Sequence, residues 1–325
     1  MNFLGIDIGG TKCSLALVDN AGTIVDKIYT CAHVEQKDED GMVAMIAAHA
    51  KELLARNGLE ETHLPGIGVG CAGHIRYEDG VIITTSNMEG FDNYPMRARL
   101  QEHFRVPVVL DNDTNVQALG EHFFGAGRSG AEKDMVFVTV STGIGAGIIL
   151  DGKVYRGRTG TAGEIGHCIV EPDSELTCTC GNKGCLMAVA CGMALPHLFR
   201  KRLLDGEETL LDMPPKFNLS KINGQTLKKG LDIGDPVSKG VIGDSGRYVG
   251  IGIYNLWQTL NVPLIVIGGG LTNWGQFYLD RIKETFYSHA RDMLIDPVEI
   301  TLSRIVGDAG VIGAAALTMD LAHVE

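Results

Sequence analysis

Short runs of apolar residues, each closed by glycine or a polar turn, punctuate this chain from its first residues. Phe3-Leu-Gly-Ile-Asp-Ile8 is the first, and Gly9-Gly10 closes it. A run of that length bounded by a turn predicts a buried strand. Two more strands are predicted over Ser14–Val18 and Thr23–Tyr29, with Asn20-Ala-Gly22 as the hairpin between them. From about Asp40 to Asn57 the side chains of Met42, Val43, Ile46, Leu53 and Leu54 fall at helical spacing, and Gly58 supplies the stop. Strands follow over 67–70 and 106–110, and helices over 96–104 and 114–124. Three strands and then alternating helix and strand predict an α/β layer fold with a mixed sheet.

The pattern then restarts. Met135-Val-Phe-Val-Thr-Val140 predicts a buried strand running into Ser141-Thr-Gly-Ile-Gly-Ala-Gly147, and Asp151-Gly152 joins a second hairpin over 148–150 and 153–155. Leu264-Ile-Val-Ile267 predicts another strand, closed by Gly268-Gly-Gly270. We therefore expect two halves of similar topology. Residues of about 200–235, with Pro214-Pro215 and few apolar periods, read as an irregular insertion. Asp308 to Met319 reads as a tightly packed helix of small residues.

Length and charge narrow the class. A chain of 325 residues suits two domains or one large one. The formal net charge is −12 with no basic cluster, which argues against a nucleic-acid surface, because such surfaces bind mainly by neutralising phosphates. No apolar run reaches the roughly 18 residues of a membrane span. Met1 leads almost directly into a strand, leaving no room for a targeting peptide, so a cytoplasmic, reducing location is expected.

The densest chemical signal is His167, Cys178, Cys180 and Cys185, which places three of the eight cysteines within eight positions. Three thiolates and an imidazole complete a tetrahedral zinc shell with no open position, so the ion would be structural. Disulfides or scattered buried thiols are the alternative, and an odd count of three suits pairing poorly. Glu164 precedes the first ligand by three residues. There it is either a polar group held rigidly for a substrate or a solvated turn residue.

Three glycine turns follow predicted strands: Asp7-Ile-Gly-Gly-Thr-Lys12, Thr142-Gly-Ile-Gly-Ala-Gly147 and Gly268-Gly-Gly-Leu-Thr272. None matches the P-loop or the dinucleotide fingerprint. Together they suit backbone donors arranged round a polyphosphate and a nucleoside. Asp7 beside such phosphates would be repelled without a cation, which implies Mg²⁺. Asp111-Asn-Asp113 follows a strand and opens a helix, where an aspartate can accept a hydroxyl proton and an asparagine can bind neighbouring hydroxyls. Helix capping by Asp111 or Asp113 is the competing reading.

Asp7-Ile-Gly-Gly-Thr-Lys12, Asn112-Asp113, Gly163-Glu-Ile-Gly-His167 and Cys178-Thr-Cys-Gly-Asn-Lys-Gly-Cys185 together resemble the ROK family of repressors, open reading frames and sugar kinases, over nearly the whole chain. The resemblance implies a two-lobed, actin-like (ribonuclease H-like) sugar-kinase fold with mixed sheets, a cleft between the lobes and a zinc-bound loop. Its lobes would be 1–117, completed by a C-terminal helix at about 306–325, and 118–305. It further implies ATP with Mg²⁺ as the phosphoryl donor, Zn²⁺ as a structural ion, and a homodimer. By the same resemblance Asp113 would be the catalytic base. Asn112, Glu164 and His167 would contact sugar hydroxyls. Asp7, Gly9, Gly10, Thr11, Lys12, Thr142, Gly143 and Gly145 would face phosphates, and Gly269 and Gly270 the adenosine. Ala72 and Gly73 stand where members usually carry Pro-Gly beside the sugar, Cys71 stands where a proline is usual, and Asn87 matches the asparagine of a closing loop. Met187 occupies the position of a sugar-contacting glutamate, which places the identity of the sugar in question. The expected activity is phosphorylation of a hexose at its 6-hydroxyl, with N-acetylmannosamine or N-acetylglucosamine as alternative substrates. Sugar-sensing repressors of the family carry a DNA-binding domain ahead of the first glycine motif, for which no space is expected here. A non-catalytic sugar-binding protein would be expected to lack the base or the phosphate turns, and both are present.

Overall fold

The computed structural model describes residues 1–10, 12–30, 38–85, 88–129, 133–212 and 219–319. The chain divides into two compact units, one formed by 1–137, 146–163 and 303–325, the other by 138–145 and 164–302. The boundary expected after residue 117 falls inside the helix Asp113–Phe124.

Unit 1 is built on a five-stranded sheet of order β3-β2-β1-β4-β7. Its strands are β1 (Asn2–Ile8), β2 (Cys13–Asp19), β3 (Ile24–Thr30), β4 (Ile67–Cys71) and β7 (Val108–Asn112); β5 (His74–Arg76) and β6 (Val81–Thr84) form a separate hairpin that the apolar pattern does not announce. β1, β2 and β3 run antiparallel, whereas β4 lies parallel to both β1 and β7. α1 (Glu39–Arg56) begins at Asp38, whose carboxylate caps the Gly41 N–H at 2.6 Å. Its apolar stripe, Met42, Val43, Ile46, Ala47, Ala50, Leu53 and Leu54, packs with Leu4, Ile6 and Ile8 of β1. α2 (Met96–Gln101) leads to β7, and α3 (Asp113–Phe124) follows it directly.

The other face of this sheet has little room. There Phe3, Ala16 and Val18 pack against Val311, Ile312 and Ala315 of the C-terminal helix Ala309–Ala316. A Cβ added at Gly68 would lie 1.7 Å from the Ala314 carbonyl oxygen, and one at Gly5 2.0 Å from that of Val311. The small residues foreseen for this segment are therefore the condition for helix backbone to lie on strand backbone.

The second sheet has the order β10-β9-β8-β11-β12, with β8 (Met135–Val140), β9 (Ile144–Leu150), β10 (Lys153–Val154), β11 (Leu264–Gly268) and β12 (Glu299–Leu302). Position by position this repeats the first order, with β8 to β10 replacing β1 to β3 and β11 and β12 replacing β4 and β7. β9 and β10 are antiparallel and β11 and β12 parallel, as in the first sheet. The repetition expected from the strand-and-glycine pattern is thus present as two mixed sheets.

Unit 2 adds α4 (Leu186–Ala190), α5 (Leu195–Leu204), α6 (Gly224–Ile233), α7 (Pro236–Leu260) and α8 (Gln276–Ala290); the C-terminal helix Ala309–Ala316 of unit 1 is α9. The expected irregular insertion at 200–235 is corrected here. α5 runs to Leu204, and α6 is opened by a capping box at Asn223 and closed by Gly234 at φ 80°. Only Leu227 and Gly230 of α6 are buried, so its short amphipathic pattern, with Leu227 and Leu231 one turn apart, is confined to ten residues. Pro214-Pro215 lies outside the described residues. Among the described residues no helix is long and apolar enough to cross a membrane.

Candidate functional site

In unit 1 the candidate residues gather at the C-terminal ends of parallel strands, where open α/β sheets bind ligands. Strand register aligns Asp7 with Gly70 and Gly70 with Asp111, and one step on aligns Ile8, Cys71 and Asn112. Gly9 follows β1 and donates its N–H to the Lys12 carbonyl at 3.0 Å, folding the Gly9–Gly10 turn back on itself. Ala72 and Gly73 follow β4. Thr11 and Asn87 lie outside the described residues.

The Asp-Asn-Asp triplet divides its labour in a way spacing does not reveal. The cap of α3 is Asn112, whose Oδ1 accepts from the Thr114 N–H at 2.8 Å, while its Nδ2 donates to the Gly73 carbonyl at 2.9 Å. Neither aspartate is the cap. Asp113 takes the first helical position, with its Oδ1 2.8 Å from the Thr114 N–H. Asp111 is buried and ion-paired with Arg156 at 2.7 Å. Burial pushes the Asp111 carboxyl above its ordinary range, and Arg156 pulls it back. Arg156 was not foreseen; the stretch after the Asp151-Gly152 hairpin carries both Arg156 and Arg158, and nothing in their spacing singles out the first.

Asp7 is the third carboxylate of this region, after Asp111 and Asp113. Burial, with the charge of Asp113 added, raises it to about 6, and Lys12 opposes the shift. Its oxygens lie against Gly310 in the first turn of α9, where a Cβ would come within 2.4 Å of Oδ2. The positive end of that helix faces the carboxylate.

Unit 2 presents two features. The first is a cavity of about 540 Å³ at the end of β8, lined in part by Ser141, Thr142, Gly270 and Leu271. Asn223, Gln225 and Lys228 of the α6 region and Trp274 also line it, and the sequence reading missed all four. Asn223 falls in the stretch read as an irregular insertion, so its capping role was not seen. Thr142 and Gly143 form a turn closed by the Ser141 N–H on the Gly143 carbonyl at 2.8 Å, and Gly145 lies inside β9. Gly269, at φ 90°, passes so close to β8 that a Cβ would meet the Val140 oxygen at 2.4 Å. The cavity's size and concavity suit a nucleoside.

The second feature is the cysteine loop. The ligand atoms of His167, Cys178, Cys180 and Cys185 all lie within 4.8 Å of one another. Cys180 and Cys185 sulfurs stand 3.7 Å apart, and the Cys178 sulfur is 3.5 Å from His167 Nδ1. A tetrahedral ion with bonds of about 2.3 Å to sulfur and 2.0–2.1 Å to nitrogen requires edges of about 3.8 and 3.5 Å, so the donor set fits zinc. Disulfides, at about 2.05 Å between sulfurs, are not formed here. The Cys180 thiol is drawn down to about 7, chiefly by the Asn182 backbone N–H. Gly181 at φ 90° and Gly184 at φ 72° make the tight turn, and a Cβ at Gly184 would strike the Glu171 oxygen at 2.0 Å.

His167 turns Nδ1 to the sulfurs and leaves Nε2 facing Glu164, 3.9 Å from its Oε2. The Glu164–His167 turn is closed by the His167 N–H on the Glu164 carbonyl at 3.0 Å. Met187, on α4 directly after the last cysteine, lays its methyl against two glycines. A Cβ at Gly166 would lie 2.9 Å from Met187 Cε, and one at Gly143 3.4 Å.

Comparison with known proteins decides the lineage. The family profile described as ROK family matches residues 3–320. The chain belongs to the ROK family. A ROK relative from Halalkalibacterium halodurans, named glucokinase, is 33% identical over 97% of this chain and 94% of its own length. A xylose repressor from Caldicellulosiruptor bescii is 27% identical over 98% of this chain but 78% of its own. The crystal structure of a ROK family glucokinase from Streptomyces griseus, in complex with glucose and AMPPNP, superposes with a TM-score of 0.77 at 29% identity, covering 98% of this chain and 99% of that one.

Proposed function

We propose that this ROK protein is an ATP-dependent sugar kinase that phosphorylates the 6-hydroxyl of a hexose, with Asp113 as general base. The observation that carries the reading is the pair of carboxylates at the strand ends of unit 1, Asp113 on the first turn of α3 and Asp7 raised to about 6 beside it. Two acids at one strand-end ligand site suit a proton acceptor and a partner for a cation-bound phosphate. The glucokinase name of the 33% identical relative agrees with it.

In this reading the 6-hydroxyl donates its proton to Asp113 as its oxygen forms the new bond to the γ-phosphorus. The bond from that phosphorus to the bridging oxygen breaks, and its electrons leave with ADP. Asn112, Glu164 and His167 orient the sugar hydroxyls, with Ala72, Gly73 and Met187 beside the sugar. Gly9, Gly10, Lys12, Thr142, Gly143 and Gly145 face the phosphates, and Gly269 and Gly270 the adenosine in the unit 2 cavity. Asp7 would be the partner of a Mg²⁺ bound with the nucleotide, which would supply charge neutralisation at the phosphates. Zn²⁺ held by His167, Cys178, Cys180 and Cys185 supplies rigidity, since its four protein ligands leave no position for a reacting water.

The test is ADP release over a panel of hexoses and N-acetylhexosamines, with Asp113→Asn as the control. Asparagine keeps the shape and loses the proton acceptor, so the rate falls by about 10²–10⁴ while the sugar still binds. Turnover of the variant within a few-fold of wild type removes Asp113 from the role. The repressor relative supports a second reading, sugar sensing without transfer, for which the panel shows sugar binding with no ADP released.

A further inference from the structure

A closed ring of contacts immediately precedes Asp113 in unit 1. Asp111 is saturated by four donors: Arg156 Nε at 2.8 Å and Nη2 at 2.7 Å on Oδ2, and the Asn112 N–H at 2.7 Å and Asn115 Nδ2 at 3.0 Å on Oδ1. The guanidinium carbon of Arg156 lies 3.6 Å from the ring centroid of Tyr77. Tyr77 sits in the turn between β5 and β6, the hairpin that begins directly after Gly73. Asn112 completes the ring through its bond to the Gly73 carbonyl. Thus Gly73, the hairpin, Tyr77, Arg156, Asp111 and Asn112 form one strap, and Asp113 is the next residue on the chain.

We propose that Arg156 is a positioning residue for the base: clamped between the Asp111 carboxylate and the Tyr77 ring, it holds the end of β7 so that Asn112 and Asp113 keep their orientation. The inference rests on the sugar-kinase reading for its kinetic consequence but on geometry alone for the strap. Stability is a poor reason for such a pair, because a buried ion pair contributes little net stability over an apolar pair of similar volume. What it does supply is direction. Two nitrogens converging on one oxygen, with a flat face stacked on a ring, define the angle of the strand end. Lysine, a single point charge on a flexible stem, cannot do so. Displacing a reacting group by about 1 Å lowers rates by about 100-fold.

The experiment compares Arg156→Lys, Tyr77→Phe, Tyr77→Leu and the double variant Asp111→Asn/Arg156→Gln with wild type. The double variant leaves no buried unpaired carboxylate, so it separates orientation from folding. Arg156→Lys should lower kcat by about 10- to 100-fold, by the displacement argument above, and leave the ATP KM unchanged, since no residue of the strap lines the unit 2 cavity. Tyr77→Phe retains the rate, whereas Tyr77→Leu loses part of it. The double variant melts near wild type but turns over as poorly as Arg156→Lys. Hydrogen exchange at the amides of 112–116 should quicken in the double variant at unchanged melting temperature. Wild-type kcat and wild-type exchange in both Arg156→Lys and the double variant overturn the proposal. A wild-type protein that releases no ADP with any sugar overturns the kinase reading instead, and the exchange measurement still decides the strap.

Discussion

Asp7→Asn should make this protein more stable at neutral pH while removing its activity. The Asp7 carboxyl rises from an ordinary 3.8 to about 6, mainly through burial and then through the charge of Asp113. A carboxylate raised in the folded state stabilises the fold only where it is protonated. That contribution is complete below about 4 and is lost as pH climbs through 6. A shift of about two units at roughly 1.36 kcal/mol each is about 3 kcal/mol against folding at pH 8. Asp7 keeps some contact with water, which trims this to about 2–3 kcal/mol. Asparagine has the same shape, fits the glycine-lined space at Gly310, and carries no charge to desolvate. Thermal melts of both proteins from pH 4 to pH 8 are the assay. The variant should melt above wild type by several degrees at pH 8, at about 2–4 °C per kcal/mol, and the gap should close towards pH 4. A gap that stays constant across that range, or a variant less stable at pH 8, refutes the electrostatic account. The loss of activity follows separately, because Asp7 is the proposed partner of the Mg²⁺-bound phosphates.

Other consequences are simpler to state. Removing zinc with a chelator, or Cys180→Ser, should lower melting temperature and activity together, since His167 and the Glu164 turn lose their anchor; freshly purified protein without zinc by elemental analysis contradicts this. Met187→Glu should raise kcat/KM for glucose relative to N-acetylhexosamines by about ten- to a hundredfold, because a thioether is a poor hydrogen-bond acceptor beside a sugar hydroxyl. A wild type that already favours glucose, joined to a variant without gain, makes the methionine neutral. Gly68→Ala should destabilise unit 1 by about 3 kcal/mol or more, as its Cβ would overlap the Ala314 oxygen at 1.7 Å; a melt unchanged from wild type shows that α9 can move aside.

Much of this protein was determined locally, and those parts could be read from the chain. Apolar runs of five to seven residues closed by glycine yielded β1, β8 and β11, because a buried strand and its turn are specified within one short window. The cluster able to hold zinc was legible for the same reason: Cys178, Cys180 and Cys185 are brought together through one short glycine-containing loop. The hairpin β5–β6 and the helix α6 were not legible. β5 is three residues long, and α6 is a ten-residue helix that buries only Leu227 and Gly230, so neither offers a long apolar run. The roles within Asp111-Asn112-Asp113 were beyond the sequence as well. Capping was expected of Asp111 or Asp113, but Asn112 caps the helix and Asp111 is taken by Arg156, 45 residues away along the chain. That arginine is brought to Asp111 by the course of β9 and β10, and Tyr77 to the arginine by the hairpin. An ion pair between residues so distant has no period or spacing to announce it. Only the folded arrangement determines which carboxylate is consumed by the ion pair with Arg156 and which opens the helix instead.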